Sequence, residues 1–145
     1  MYETILFPVS GKKGLARAGE VLRHVTRIAD GSTVVLLHVF DVVPLTVGGE
    51  AHAQIRAEHA ATGETLLKSV GQELEKKGIS FRCRVEEGTV AETIVRVAHE
   101  EKAELIVMLT DGRNGLPDYL LGSITERVLR NTDTALLAIR QSGGE

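Results

Sequence analysis

The sequence predicts an α/β protein: one domain built as an open parallel sheet with helices on both faces. Three observations carry this. Five short apolar runs, most rich in β-branched residues, are spaced along 145 residues. Between them lie intervals whose apolar residues recur at three- and four-residue steps, the period of a helix. Aromatic residues make up only 3% and Trp is absent, so the core is Val, Leu, Ile and Ala, which suits helices packed on a parallel sheet. This length fits a single domain and is enough to bury a core without disulfides or metals.

The elements follow in order. Residues 4–9, TILFPV, are the first strand-length run. Leu15, Ala18, Leu22, Val25 and Ala29 then mark one face of a helix. Residues 33–39 form the second strand. A second helix is expected from about Ala51 to Lys77, with Ala60, Leu67, Val70 and Leu74 on its apolar face and an interruption or weakening near Gly63. Residues 80–85 are the third strand. Thr89-Val-Ala-Glu92 reads as a capping box, with a hydroxyl for a free amide and a Glu reaching back, and Ile94, Val97 and Ala98 continue that helix. Residues 105–109 are the fourth strand, Ser123-Ile-Thr-Glu126 is a second capping box, and Thr134-Ala-Leu-Leu-Ala-Ile139 is the fifth strand. Strands alternating with helices imply a parallel sheet with right-handed crossovers. The domain is read as residues 1–140, with a polar, frayed tail at 141–145.

Composition excludes several classes. Net charge is −3 and the charges are mixed. Without a basic stripe or stacking aromatics, nucleic acid is not an expected partner. No apolar run approaches the ~20 residues that span a bilayer, so no membrane association is expected. The start of the chain lacks the pattern of a signal peptide. Cys83 is the one cysteine, which fits a reducing compartment. The expected location is the cytoplasm.

Ligands of such sheets bind beyond the carboxyl ends of the strands, where the strand order reverses. The exit after the fourth strand, LTDGRNGLPDYLLGS, is dense in glycine: Gly112, Gly115 and Gly122. Such residues let backbone amides approach an anion, and the helix that opens at Ser123 offers free amides and a favourable dipole. Ser123 and Thr125 add hydroxyls. The alternative is a surface connection with an N-cap. The first exit, Val9-Ser10-Gly11-Lys12-Lys13, loosely resembles the Ser-Gly-Gly pyrophosphate loop of some ATP-splitting enzymes. However, Lys12 stands where the second Gly belongs, and the spacing does not fit a Walker A loop. Lys12 and Lys13 are either charge partners for a phosphate or solvated loop lysines. The connection 40–49, with Pro44 and Gly48-Gly49, is a candidate mobile segment or lid.

Catalytic patterns are weak. None of His24, His38, His52, His59 and His99 makes a metal motif. His38 reads as a core or strand-end residue. His52 and His59, seven apart, share a helix face. Arg82 and Arg84 flank Cys83 but alternate onto the opposite face, so thiol activation is not implied. Glu86-Glu87 and Glu100-Glu101 read as solvated element ends. No nucleophile–base pair emerges. Enzymatic activity is not expected beyond, at most, slow nucleotide hydrolysis. The last strand, 134–139, is apolar and is either a sheet edge that pairs with a second copy or an interior strand.

These residues resemble the universal stress protein family. The likeness covers nearly the whole chain: TILFPVSGKKG, VVLLHVFDV and, most specifically, the run from EEGTVAETIVRVAHEE through AELIVMLTDGRNG and LLGSITERVLRN to ALLAIR. The resemblance implies a Rossmann-like, adenine nucleotide alpha hydrolase-like sheet in the order 3-2-1-4-5. It also implies homodimers, often through antiparallel pairing of the last strands. Some members bind ATP or AMP and others bind no nucleotide.

Carried onto this chain, Gly112 matches the second glycine of the binding motif, and Gly122-Ser123 match its closing pair. Ile124 and Thr125 match the next positions. Pro8, Val39 and Met108 match positions on the adenine side. Leu109 stands where the motif has its first glycine, and Ser10 stands where it has the ribose-binding Asp. Loss of that carboxylate contact costs roughly 1–3 kcal/mol, while its lost charge, with Lys12 nearby, favours phosphate. The resulting reading is a regulatory homodimer with an altered site for ATP or AMP and no metal. The alternative is a dimeric interaction module in the stress response that binds no nucleotide.

Overall fold

The computed structural model describes residues 2–9, 14–110 and 122–140. In chain order the elements are β1 (Thr4–Pro8), α1 (Gly14–Ile28), β2 (Thr33–Phe40), α2 (Gly49–Lys76), β3 (Ser80–Glu87), α3 (Val90–Glu100), β4 (Leu105–Thr110), α4 (Ser123–Asn131) and β5 (Ala135–Arg140). The strands form one five-stranded sheet in the order β3-β2-β1-β4-β5, and every neighbouring pair is parallel. All five expected strands are present, with ends shifted by up to two residues.

Two apolar layers sandwich the sheet. On one face Ile5, Phe7, Val34, Leu36 and Val107 pack with α1 and α2 residues such as Val25, Leu67 and Leu74. On the other, Leu6, Val35, Leu37, Ile106 and Met108 pack with Ile94 and Val97 of α3 and Val128 of α4. Neighbours in one strand thus serve opposite layers, the period of two expected of a strand. The central strands need apolar residues at every position, which explains their lack of alternation in sequence. β3 is an edge strand and does alternate. Phe81 and Val85 pack toward α2, whereas Arg82 and Arg84 bond to acidic residues on the α3 side.

Three local expectations need correction. α2 is continuous through Gly63. That glycine lies at a close approach, because an added Cβ would stand 2.8 Å from His38 Cδ2 and 3.0 Å from Val85 Cγ1. Gly71 is similar, with Phe81 ring atoms 2.3–2.4 Å from such a Cβ. Both glycines therefore bring the helix onto the sheet. Thr89 is the N-cap of α3, but its side chain makes no capping bond. Ser123 is the first residue of α4 and not its cap. The cap is Gly122 (φ 89°, ψ 149°), and it brings no side-chain acceptor.

Glu86, Glu100 and Glu101 are also not merely solvated ends. Arg84 bonds to Glu101 at 2.9 Å, Glu100 at 2.8 Å and Glu86 at 3.0 Å. Arg96 bonds to Glu86 and Glu100, each at 2.8 Å, and Arg82 also pairs with Glu101. The network ties the edge strand β3 to α3. Spacing does not reveal it, because its partners come from two elements brought together by the crossover.

Candidate functional site

β1 lies between β2 and β4. From β1 the chain steps outward to β2 and β3, then crosses back to β4 and β5. The switch point, where open α/β sheets bind ligands, is therefore between the exits of β1 and β4. Pro8 opens it. The Val9 N–H donates to the Leu37 carbonyl of β2 at 2.7 Å. Backbone groups alternate sides along a strand, so the donor that residue 8 lacks as proline is the one that would face β4. The β1–β2 register accordingly runs to Pro8↔Leu37. The β1–β4 register stops at Leu6↔Ile106.

The expected site residues separate by face. Val39 and Met108 belong to the apolar layer under α3 and α4, and alternation from Leu6 places Pro8 on that same face. Leu109 turns the other way and packs against the α1/α2 layer. Its side chain is half-buried against that layer. Ser10, Lys12, Lys13, Gly112 and Gly115 lie outside the described residues.

Ser123 and Ile124 line one end of an open groove of about 830 Å³ that runs from the start of α3 along α4 to Arg130 and Asn131. Its rim comes from Asp41 and Val42 after β2 and from Gly88 and Thr89 after β3, while Arg127 stands one turn along α4. Gly122 holds a left-handed φ that glycine adopts without strain. The Glu126 N–H donates to the Gly122 carbonyl at 3.0 Å and closes the first turn of α4. Gly122 has no side chain with which to cap α4, and among the described residues no side-chain cap is made to the α4 amides before Glu126. Ser123 is exposed, whereas Thr125 is 3% exposed and faces inward. Val42 and Ile124 are apolar yet 61% and 45% exposed, and they give the groove apolar lips.

From sequence, Asp41 is only part of the connection 40–49 and Thr89 only a cap. Sequence does not place Val42, Gly88 or Arg127 at the site, because the juxtaposition of α3 and α4 is tertiary. His38 does lie at a strand end, and its Nδ1 meets the Val9 carbonyl at 3.0 Å. The connection 40–48 is anchored: Glu87 Oε2 accepts the Val43 N–H at 3.1 Å, and Val43 is buried. His52 and His59 each serve this segment. Among the described residues no group of three or more His, Cys, Asp or Glu could hold a metal ion, and no helix is long and apolar enough to cross a membrane. Burial pushes the Cys83 thiol up, against a smaller opposing effect of Lys68, so it is not an activated nucleophile.

Fold and groove together define a class: single-domain, doubly wound α/β proteins with a ligand-sized groove at the carboxyl ends of their strands. The universal stress protein family model matches residues 1–140, and the chain belongs to that family. It is 31% identical over 143 residues to universal stress protein MJ0531 of Methanocaldococcus jannaschii, covering 97% of this chain and 84% of that one. It is 30% identical over 146 residues to a universal stress protein of Methanothermobacter thermautotrophicus, covering 97% of each. Among solved structures, hypothetical protein MJ0577 of M. jannaschii superposes with a TM-score of 0.82 at 26% identity, covering 99% of both chains. A universal stress protein in complex with cAMP has the same fold, with a TM-score of 0.66 at 21% identity over 97% of this chain and 98% of that one.

Proposed function

We propose that this chain is a regulatory adenine-nucleotide-binding universal stress protein that acts as a homodimer in the cytoplasm. One observation carries the nucleotide reading. The uncapped start of α4, opened by Gly122, stands at a groove with apolar lips whose volume suits a small molecule. Amides at a helix start favour a phosphate, and Val42 and Ile124 offer apolar contact to a base. Val39 and Met108, in the apolar layer under α3 and α4, are assigned to the adenine side. The related protein in complex with cAMP supports an adenine nucleotide as the ligand class. Gly122 and Ser123 hold phosphate in this reading, which also assigns Gly112, Lys12 and Lys13 to the phosphate and Ser10 to the ribose. Thr125 supports the helix from its inner face. Leu109, turned into the opposite layer, removes a steric objection to binding. No base or nucleophile is assigned, and the role is binding and not turnover.

The test is mass spectrometry of ligand released from freshly purified, denatured protein, followed by calorimetric titration with ATP and with AMP. Co-purified nucleotide or micromolar affinity is expected, and Gly112→Val abolishes it. No binding at millimolar nucleotide overturns the reading in favour of a dimeric interaction module. Turnover that Ser123→Ala removes while binding survives would make the protein an enzyme instead.

The dimer reading rests on β5. It is a sheet edge, it is apolar except for Arg140, and Leu137 is 36% exposed. Such an edge offers unpaired backbone groups to a second copy.

A further inference from the structure

Helix α2 is longer than the strands it packs on. Its 28 residues span about 42 Å, against about 26 Å for β2. Its buried residues are Gly63, Leu67, Val70, Gly71 and Leu74, all in its second half. Residues 49–62 include none, so core burial does not hold the first half in place.

One stripe of side chains ties it to the strand exits. His52, Arg56 and His59 are spaced four and three residues apart, which puts them on one helix face. His52 Nε2 meets the Val43 carbonyl at 3.3 Å. Arg56 pairs with Glu87 Oε1 at 2.9 Å. The His59 ring stacks on Phe40, with centroids 5.5 Å apart and planes 17° from parallel. All three partners belong to the exits of β2 and β3. The other oxygen of Glu87 accepts the Val43 N–H at 3.1 Å, and the Gly88 N–H donates to the Phe40 carbonyl at 2.9 Å. Between Phe40 and Val43 lie Asp41 and Val42, the rim of the groove.

We propose that the first half of α2 is a docking arm and that Glu87 is a positioning residue coupling the arm to the groove rim. One carboxylate oxygen holds the arm and the other holds the rim. Segments with few buried contacts open locally, far below the free energy of global unfolding. Opening of the arm removes the Arg56, His52 and His59 contacts together, and Val43 loses a donor at its carbonyl. A ligand that packs on Asp41–Val42 in the docked state binds that state more tightly and shifts the arm toward it. An agent that displaces the arm weakens the ligand by the same factor. This consequence for nucleotide affinity rests on the nucleotide reading above; the coupling of arm to rim does not.

Amide hydrogen exchange, resolved by NMR on the full chain, tests both parts. Without ligand, Glu87→Ala speeds exchange at Val43 and through residues 50–62 about two- to fivefold, while residues 64–76 are unchanged. Arg56→Met touches only the arm side, yet also speeds exchange at Val43, and adding it to Glu87→Ala changes nothing further. If Arg56→Met leaves Val43 as in the wild type, arm and rim are independent and the proposal is overturned. Saturating AMP slows exchange through 50–62 in the wild type and not in Glu87→Ala. AMP bound with no change in 50–62 refutes the link to the site. Failure of AMP to bind at millimolar concentration instead removes the nucleotide reading, and the ligand-free comparison then decides the coupling.

Discussion

The Nδ1–H of His38 donates to the carbonyl oxygen of Val9 at 3.0 Å, and so joins the end of β2 to the exit of β1. A carbonyl is only an acceptor, so the ring carries its hydrogen on Nδ1. On the same ring, Cδ2 lies 2.8 Å from where a Cβ on Gly63 would stand. His38→Leu removes the bond at similar volume and is expected to cost about 1–2 kcal/mol, measured by urea denaturation.

Gly63→Ala is expected to destabilise despite alanine's better helix propensity of about 1 kcal/mol. The new methyl group meets His38 and Val85, and overpacking typically costs about 1–3 kcal/mol. The cost shrinks when Gly63→Ala is made in a His38→Ala background, where one of the two obstacles is gone. An unchanged cost in that background would place the obstruction at Val85 alone.

Pro8→Val restores the donor that faces β4. The β1–β4 ladder should then extend by one bond, with a gain of about 0.5–1.5 kcal/mol and slow exchange of the new residue 8 amide. Rapid exchange at residue 8 would show that Pro8 is not what ends the ladder.

Acid should loosen the β3–α3 network. Hydrogen bonds hold these carboxyls below the ordinary value near 4.5, from Arg96 to Glu86, Arg84 to Glu100 and Arg82 to Glu101. Burial works against the charge of Arg84, but its bonds to Glu100, Glu101 and Glu86 outweigh this and hold its proton more tightly. A carboxyl with a depressed folded value binds fewer protons folded than unfolded. Its stabilisation is therefore present above about pH 4.5 and is lost as pH falls through the folded value. The urea midpoint should drop on acidification below that point, and Arg84→Met should flatten the drop while lowering the midpoint at pH 7.

The β5 edge gives a prediction about assembly. Sedimentation at micromolar concentration should show a dimer, and Leu137→Arg, which puts a charge on the exposed edge, should yield a folded monomer. A wild-type monomer would remove β5 from consideration as an interface.

Much of this protein was legible from its residues. Strand-length runs such as 33–39 are apolar at almost every position because both faces are covered, and that pattern survives in one dimension. The likeness of AELIVMLTDGRNG and LLGSITERVLRN to the family's glycine loop identifies the family. In a helical interval Gly63 reads as an interruption, and its meaning is not available there. A glycine that weakens a helix and one that lets a helix approach a sheet look alike until the facing residue, His38, is known.

The sequence by itself determined the element order, the parallel sheet and the end of the sheet where a ligand would lie, because periodicity and chain order are local properties. Only the tertiary structure decided which way Leu109 faces, that Gly122 and not Ser123 caps α4, and that Glu87 holds both Arg56 and Val43. Each depends on residues distant in sequence, or on a backbone angle set by packing. No spacing rule encodes the meeting of residue 56 with residue 87; the crossover that brings α2 over the exits of β2 and β3 does.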